Sequence, residues 1–293
     1  MKLPDGFIFS QSSLQDFVDC RRRFQLRYIN RLAWPALETE PALEAERYLQ
    51  QGARFHRMVQ QHLLGVPAER LSNMITDDDL SRWWHNYLSF VQALRQQSAA
   101  PTEGVSEHAI FGTARGYPEI SLSATLAGFR LEAKFDLVLL LPDGGTRIYD
   151  WKTSRRRPER RWLANRLQTR LYPYLLTRAG AVLNGGEDLL PEKVEMIYWF
   201  ADHPGQPERI AYSAQALRDD EAYLTDLVAT IQRLGDDDFP LTTDLRRCAF
   251  CSYRSLCDRG ARAGDLDEMQ GETDSADEMA LNLDFEQIGE IEF

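Results

Sequence analysis

Residues 131–153 hold two strand-like runs separated by a Pro-Asp-Gly-Gly turn, and they constrain the fold more than any other stretch. The pattern predicts a β-hairpin, with Asp136 on its first strand and Asp150 and Lys152 on its second. Residues two apart on a strand point to one face of a sheet, so Asp150 and Lys152 share a face. A three-residue loop over 143–145 pairs Asp136 with Lys152 and puts it on that face. A two-residue loop would turn Asp136 away. We therefore predict the odd-length loop with a left-handed glycine at its end, or a bulge of the same parity.

Two carboxylates and a lysine on one sheet face predict a site for a hard divalent cation. Mg²⁺ and Mn²⁺ prefer oxygen ligands and commonly take one or two carboxylates together with phosphate oxygens of a substrate. Such an ion lowers the pKa of its water, and Lys152 would orient that water or stabilise charge on a phosphoryl group. The alternative is a strand end with two surface carboxylates and a salt-bridged lysine. An Asp-x-Lys motif by itself favours that alternative, because three residues often match by chance.

The charge of this 293-residue chain is unevenly distributed. Residues 264–293 carry eleven acidic residues and no Lys or Arg, which accounts for the formal net charge of −11. The other 34 acidic residues balance the 34 Lys and Arg, and the arginines of this neutral body lie in clusters. Clustered arginines contact phosphates without a high overall charge, so Arg155 and Arg156 are candidates for binding nucleic acid. A solvated arginine face is the alternative.

The four cysteines predict a metal site. The chain has no apolar signal segment and no apolar run near the roughly 20 residues of a membrane span, so we expect a cytoplasmic protein without membrane contact. Thiols stay reduced there, which favours metal binding over disulfides. Cys248, Cys251 and Cys257 follow a Cys-x₂-Cys-x₅-Cys spacing, and Cys20 lies 228 residues before them. Four thiolates suit an iron–sulfur cluster or zinc, and either would join both ends of the chain.

Periodicity and turn signals predict an α/β or α+β chain with a sheet in the middle. The predicted helices cover 10–31, 42–64, 78–97, 158–179 and 214–234, and the other strands cover 105–111, 119–127 and 193–200. The second helix contains Gly52 and His56, and a glycine inside a helix predicts close approach of another backbone there. Glu107, on the first of these strands, is a further candidate carboxylate, with a surface glutamate as the alternative.

Taken in chain order, these features resemble the RecB-type nucleases of the PD-(D/E)xK superfamily. The resemblance is greatest to the iron–sulfur branch, which includes AddB-like recombination nucleases and the nucleases of CRISPR adaptation. The motifs that carry it are the serine-capped helix with Cys20-Arg-Arg-Arg-Phe, Gly52-x-x-x-His56, Asp136, Asp150-Trp-Lys152-Thr, Gln168-x-x-x-Tyr172 and the cysteine triplet. Each motif is weak alone, but their order and spacing together are specific. The tail after residue 263 lies outside the resemblance.

The resemblance implies a restriction-endonuclease-like fold, in which helices flank a mixed central sheet. Its parts would be a helical N-terminal region (1–103), a nuclease core (104–240) and a cysteine-bound cap (241–263). Mg²⁺ or Mn²⁺ would be held by His56, Asp136, Asp150 and the carbonyl of Trp151. The implied catalytic residues are Asp136, Asp150 and Lys152. Gln168 and Tyr172 would bind or position DNA, and a [4Fe–4S] cluster would be held by Cys20, Cys248, Cys251 and Cys257.

The implied reaction is metal-dependent hydrolysis of DNA phosphodiesters in repair, recombination or CRISPR adaptation. We favour an exonuclease on single-stranded ends, with a helicase or integrase subunit as a possible partner. One alternative is a catalytically idle iron–sulfur subunit that binds DNA or acts as a scaffold, against which the intact His, Asp, Asp, Lys set argues. Another is an endonuclease, or an adaptation nuclease that works only with an integrase.

The acidic tail, residues 264–293, is predicted to be disordered by itself because it has too little apolar surface to fold. The simplest interpretation is a tail that aids solubility. Apolar and acidic residues alternate near its end, a pattern that also suits a docking segment on a sheet edge. Its target would be a basic partner or the protein's own arginine-lined DNA groove.

Overall fold

The computed structural model of the protein describes residues 3–32, 40–98, 114–249 and 251–260. The predicted strand 105–111, with Glu107, and the acidic tail 264–293 lie outside these described residues. Within the described ranges, no helix combines the length and the apolar character that crossing a membrane requires.

One mixed sheet of six strands forms the centre of the described structure. In chain order the strands are β1 (Ile8–Ser10), β2 (Arg115–Leu126), β3 (Phe129–Leu140), β4 (Thr146–Lys152), β5 (Val194–Phe200) and β6 (Glu208–Ala211). Strand β3 pairs with antiparallel β2 along its length. Its other edge pairs with parallel β1 near the start and with antiparallel β4 near the end. β5 follows parallel to β4, and antiparallel β6 completes the order.

The hairpin between β3 and β4 has the predicted odd loop, one residue earlier than expected. The amide of Leu141 donates to the carbonyl of Gly145, which encloses Pro142 to Gly144 as a three-residue loop. Gly144, with φ of +81°, takes the left-handed position that we predicted for Gly145. The pairing runs from Leu140 opposite Thr146 to Leu137 opposite Tyr149, a register that does not put Lys152 opposite Asp136. The predicted pairing of Asp136 with Lys152 is therefore wrong, although the parity is right.

The regular alternation of β3 breaks at Asp136. Phe135 and Val138 both pack into one core, while Leu137 between them packs into the core on the other face. Strand β2 has the matching irregularity, because Tyr117 and Ile120 pack on the same side. In both strands the side chains switch to the other face of the sheet at paired positions. The β2–β3 register is therefore the same before and after the irregularity.

The helices predicted over 42–64, 78–97 and 214–234 are present with small shifts of their ends. The structure has α1 (Gln11–Asp19), α2 (Arg21–Phe24), a π-helical turn (Gln25–Ile29), α3 (Glu40–Leu63), α4 (Ala68–Ser72), α5 (Asp78–Ser98), α6 (Arg160–Ala164), α7 (Leu167–Ala179), α8 (Ala214–Arg233) and α9 (Arg246–Ala249). Short 3₁₀ turns lie at Gly180–Asn184, Pro191–Lys193 and Arg254–Cys257. The helix predicted over 158–179 is interrupted between α6 and α7, where Arg166 is extended.

The single helix predicted over 10–31 is broken at Cys20. Ser10 begins α1 with a capping box, in which its hydroxyl accepts from the amide of Ser13 and Ser13 returns the contact. At Cys20 the backbone is extended, with φ of −160° and ψ of 106°. The chain resumes with α2 and the π-helical turn. The break leaves Cys20 at a junction between helices rather than within one.

Helices cover both faces of the sheet, as predicted. On one face, α1, α7 and α8 enclose a core that includes Leu14, Leu171 and Leu224. On the other face, α3 and α5 contribute Phe55 and Trp83 to a second core with a high aromatic content. The predicted α/β architecture, a mixed central sheet flanked by helices, is confirmed.

Candidate active site and metal centre

Asp136 lies where β3 begins to pair with β4, and its carboxylate is buried. The backbone amide of Trp151 donates to Oδ2 at 2.8 Å, and Nδ1 of His56 lies 3.4 Å from Oδ1. Burial by itself would raise the pKa of Asp136. His56, the Trp151 amide and Lys152 outweigh it and hold that pKa below its ordinary value. The carboxylate is therefore ionised and available to a cation.

Asp150, Lys152 and Gln168 form one buried unit on the α7 side of the sheet. Nζ of Lys152 lies 3.1 Å from Oδ2 of Asp150, and it donates to Oε1 of Gln168 at 3.3 Å. The amide nitrogen of Gln168 donates to Oδ1 of Asp150. Each residue is at most 5% exposed, so the interpretation of these residues as a solvent-open strand end is wrong. The reason is that β4 lies between β3 and β5 and α7 covers it.

His56 reaches the site from α3, on the opposite face of the sheet, and is 4% exposed. It meets Asp136 because the alternation of β3 breaks there. The structure thus brings His56 and Asp136 together and places Asp150 and Lys152 in an adjoining group. Tyr172 lies close to both groups. Its pKa is well above the ordinary value, first because the hydroxyl is buried and then because the Asp150 and Asp136 carboxylates are near it.

Glu119 is the site residue that the sequence analysis missed. Among the described residues, the only trio of His, Cys, Asp or Glu side chains with ligand atoms within 4.8 Å of one another is His56, Glu119 and Asp136. Burial and the nearby Asp136 raise the pKa of Glu119, and Lys134, 2.7 Å away, partly offsets them. The β2–β3 register, which puts Glu119 opposite Asp136, could have indicated it. We instead considered Glu107, which lies outside the described residues.

The residues predicted to bind DNA divide into buried and exposed ones. Gln168 and Tyr172 are buried, and the Tyr172 ring packs 4.8 Å from that of Phe135, so neither forms an open binding surface. Their positions suit holding the charged side chains in place. Arg155 and Arg156 are exposed just after Lys152. The Arg155 guanidinium lies 5.5 Å from the Tyr48 ring centre and 3.6 Å from Asp79.

The four cysteines meet although Cys20 is far from the others in sequence. All four are free thiols of intermediate exposure. Burial raises the pKa of Cys248, Cys251 and Cys257, and the neighbouring sulfur of Cys20 raises each of them further. Arg23 lies close enough to lower the pKa of Cys248 and Cys251. The thiols therefore share one electrostatic environment that contains arginine.

Polar contacts join the two ends of the described chain around these thiols. Arg23 binds Asp16 at 2.8 Å and Asp19 at 3.1 Å, and Arg247 pairs with Asp19. The hydroxyl of Tyr253 donates to the carbonyl of Leu32 at 3.0 Å. The segment that carries Cys248, Cys251 and Cys257 is thus fastened to the helices on either side of Cys20.

The family is established by sequence. Residues 8–258 match the family model described as the PD-(D/E)XK nuclease superfamily. The chain therefore belongs to the PD-(D/E)XK nuclease superfamily, whose members use divalent metals. The His56, Glu119 and Asp136 donors fit such an ion, since they offer carboxylate oxygens and an imidazole.

Two solved structures that match this chain have low sequence identity to it. The crystal structure of a protein named SSO0001 is 14% identical, with a TM-score of 0.41, and the match covers 87% of this chain and 86% of that one. A protein from Eubacterium rectale named "Putative exonuclease" is 11% identical, with a TM-score of 0.44, and the match covers 77% and 80% of the two chains. Among curated proteins, no sequence matches this chain.

Proposed function

We propose that the protein is a metal-dependent deoxyribonuclease that acts on single-stranded DNA ends. The observation that carries this proposal is the buried unit of Asp150, Lys152 and Gln168 beside the Asp136 carboxylate. Burying an ion pair is costly in desolvation and contributes little to stability relative to apolar residues. A second carboxylate and a histidine next to that pair offer ligands for the divalent ion that metal-dependent phosphodiester hydrolysis uses.

Asp136, Asp150, His56 and the carbonyl of Trp151 are the residues that we expect to hold Mg²⁺ or Mn²⁺. A bound divalent ion supplies charge neutralisation at the phosphoryl group and a water of lowered pKa. Lys152, held between Asp150 and Gln168, donates a hydrogen bond to the attacking water or to a phosphate oxygen. Gln168 keeps the ammonium and the carboxylate in fixed relative positions. Trp151 contributes through its backbone, because its indole is buried in the aromatic core.

Arg155 and Arg156 support a polyanionic substrate. They are exposed immediately after the strand that carries Lys152, so a phosphate backbone bound by them would pass over the end of β4. Contacts with phosphates position nucleic acid without selecting its sequence. This agrees with a nuclease that acts without sequence specificity.

The cysteines support the iron–sulfur branch of the RecB-like nucleases, with a [4Fe–4S] cluster on Cys20, Cys248, Cys251 and Cys257. Four thiolates are the usual ligands of such a cluster. Zinc ribbons usually use two Cys-x-x-Cys pairs, and one cysteine 228 residues from a compact triplet differs from that spacing. Free thiols also agree with a cytoplasmic location.

The experiment incubates end-labelled single- and double-stranded DNA with Mg²⁺ or Mn²⁺ and the wild type, Lys152→Ala or Lys193→Ala. Lys193 is an exposed lysine in the turn before β5 and serves as the matched control. We expect wild type and Lys193→Ala to shorten single-stranded DNA from its ends, and Lys152→Ala to be inactive. Near wild-type cleavage by Lys152→Ala would show that the active site is elsewhere. Metal-independent DNA binding without cleavage by the wild type would identify an idle subunit.

A helicase or an integrase subunit is the partner that we propose for this activity. Either would present single-stranded DNA to the site during repair, recombination or CRISPR adaptation. Separated strands are needed because the proposed substrate is single-stranded DNA. Unwound and duplex substrates compared in the same assay measure that need directly.

A further inference from the structure

We propose that Glu119 is an additional ligand of the divalent metal, and that Lys134 occupies its carboxylate until the ion replaces it. This inference rests on the proposed metal site and names a residue of that site. Glu119 projects from β2, opposite Asp136 on β3, and its carboxylate, the Asp136 carboxylate and the His56 ring offer ligand atoms within 4.8 Å of one another.

The backbone of Glu119 indicates a role beyond packing. Its φ is +53°, a left-handed conformation that a side chain with a Cβ rarely takes. The residue lies where β2 and β3 both change face. At this irregularity the carboxylates of Glu119 and Asp136 come within 4.8 Å of each other. Strained backbone of this kind persists where the surrounding structure holds it, and it concentrates at functional sites.

The ion pair with Lys134 does not by itself explain this strain. Nζ of Lys134 lies 2.7 Å from Oε2 of Glu119, but the lysine side chain is 58% exposed. An ion pair with so exposed a partner contributes little to stability. The Lys134 ammonium thus occupies the position beside Glu119 that a metal ion would take. Because the lysine side chain is exposed and flexible, it can move into solvent when a divalent ion binds.

The chemistry of the three side chains limits the ion. Two carboxylates and one imidazole suit Mn²⁺ or another ion that accepts nitrogen and oxygen ligands, whereas Ca²⁺ takes an all-oxygen shell. Nδ1 of His56 lies 3.4 Å from Oδ1 of Asp136, and the ligand atoms of Glu119, His56 and Asp136 lie within 4.8 Å of one another. Glu119 therefore adds a second carboxylate to the His56–Asp136 pair.

The test measures Mn²⁺ binding to the full-length protein without DNA, by calorimetry and by the Mn²⁺ electron paramagnetic resonance signal. Glu119→Gln keeps the size of the side chain and removes the ligand charge, and we expect roughly tenfold weaker binding or more. Lys134→Gln removes the competing ammonium, and we expect binding up to about fivefold tighter. Arg130→Gln is the matched control, because Arg130 is a 57% exposed cation on the same strand that pairs with Glu132 instead.

Opposite effects of the first two substitutions, with no change for Arg130→Gln, support the inference. Unchanged Mn²⁺ affinity in both Glu119→Gln and Lys134→Gln overturns it and leaves a structural ion pair. Tightening by Arg130→Gln equal to that by Lys134→Gln also overturns it, since general charge would then be the cause. If Asp136→Asn abolishes Mn²⁺ binding while Glu119→Gln does not weaken it, only the role of Glu119 is refuted. A wild type that neither binds Mn²⁺ nor cleaves DNA refutes the proposed function as well.

Discussion

The backbone amide of Trp151 donates a 2.8 Å hydrogen bond to Oδ2 of Asp136, which joins the carboxylate of β3 to the middle of the Asp150-Trp-Lys152 motif. This contact orients the carboxylate, so that Oδ1 lies 3.4 Å from Nδ1 of His56. Because the donor is a backbone group, every substitution at Trp151 except proline keeps the N–H that donates it. The orientation of Asp136 is thus a property of the strand geometry.

Gln168 should be required for the arrangement of the active site rather than for folding. Gln168→Met removes its contacts with Asp150 and Lys152 and keeps similar volume. We expect DNA cleavage to fall by about 10–100-fold, the usual effect of losing a residue that orients metal-site groups. Initial rates of cleavage measure this. Gln215→Met, on the exposed side of α8, is the control, and an equal loss there would contradict the assignment.

Lys152→Met should reduce stability as well as activity, because Asp150 would remain buried without its cation. The expected decrease in the free energy of unfolding is about 3–5 kcal/mol, as for other broken buried pairs. The double variant Asp150→Asn, Lys152→Met leaves no isolated charge and should regain most of this stability while staying inactive. Urea unfolding of the three proteins tests this. Equal stability of wild type and Lys152→Met would contradict the burial of the pair.

Cys20→Ser should cause loss of iron and a large loss of stability. The cysteine site joins segments 228 residues apart, so a bound cluster strongly restricts the unfolded chain. We expect protein purified anaerobically to be brown, to contain iron and to lack stoichiometric zinc. Elemental analysis and thermal unfolding of wild type and Cys20→Ser check this. A colourless, active protein loaded with zinc would refute the cluster and leave the nuclease proposal intact.

Asp220 on α8 should make stability depend on pH. Burial raises the pKa of Asp220 to about 6, although Arg170 at 3.1 Å and the donating Tyr212 hydroxyl act against it. An unfolded aspartate titrates near pH 3.9, so the stabilisation from protonating Asp220 is complete below about pH 4 and is lost as the pH rises through about 6.

The free energy of unfolding of the wild type, compared with that of Asp220→Asn, should therefore decrease by on the order of 2 kcal/mol from pH 4 to pH 7. Urea unfolding across this range measures the difference. Asp226→Asn is the control, because this carboxylate on the same helix is 83% exposed, and the variant should follow the wild type. A constant difference between wild type and Asp220→Asn would contradict the raised pKa.

Truncation after Gly264 tests the acidic tail. We expect unchanged DNA cleavage and lower solubility, because eleven acidic residues are removed from an otherwise neutral chain. Faster cleavage and tighter DNA binding that diminish as salt rises would show instead that the tail competes for the DNA groove. Loss of binding to a helicase or integrase subunit, with cleavage unchanged, would identify a docking segment.

The sequence by itself determined the main elements of the fold. Periodicity of apolar residues located α3, α5 and α8 within a few residues, because each helix buries a continuous stripe. Turn chemistry predicted the odd loop between β3 and β4. The two-residue spacing on β4 predicted that Asp150 and Lys152 share a face. The order of the motifs indicated the nuclease superfamily. The helix and turn signals depend on neighbours within one or two turns of the chain, whereas the order of the motifs is read along its whole length.

Only the tertiary structure decided which side chains meet and how deeply they lie. The two-residue period of a strand predicts which face of the sheet a side chain occupies only while the side chains alternate regularly. In β2 and β3 this alternation is interrupted at Glu119 and Asp136. That break lets Asp136 contact His56 from the opposite face and gives Glu119 its place in the metal group. The burial of Lys152 depends on α7 packing over β4, a contact between distant segments. Such contacts depend on long-range packing, so no local pattern in the sequence could specify them.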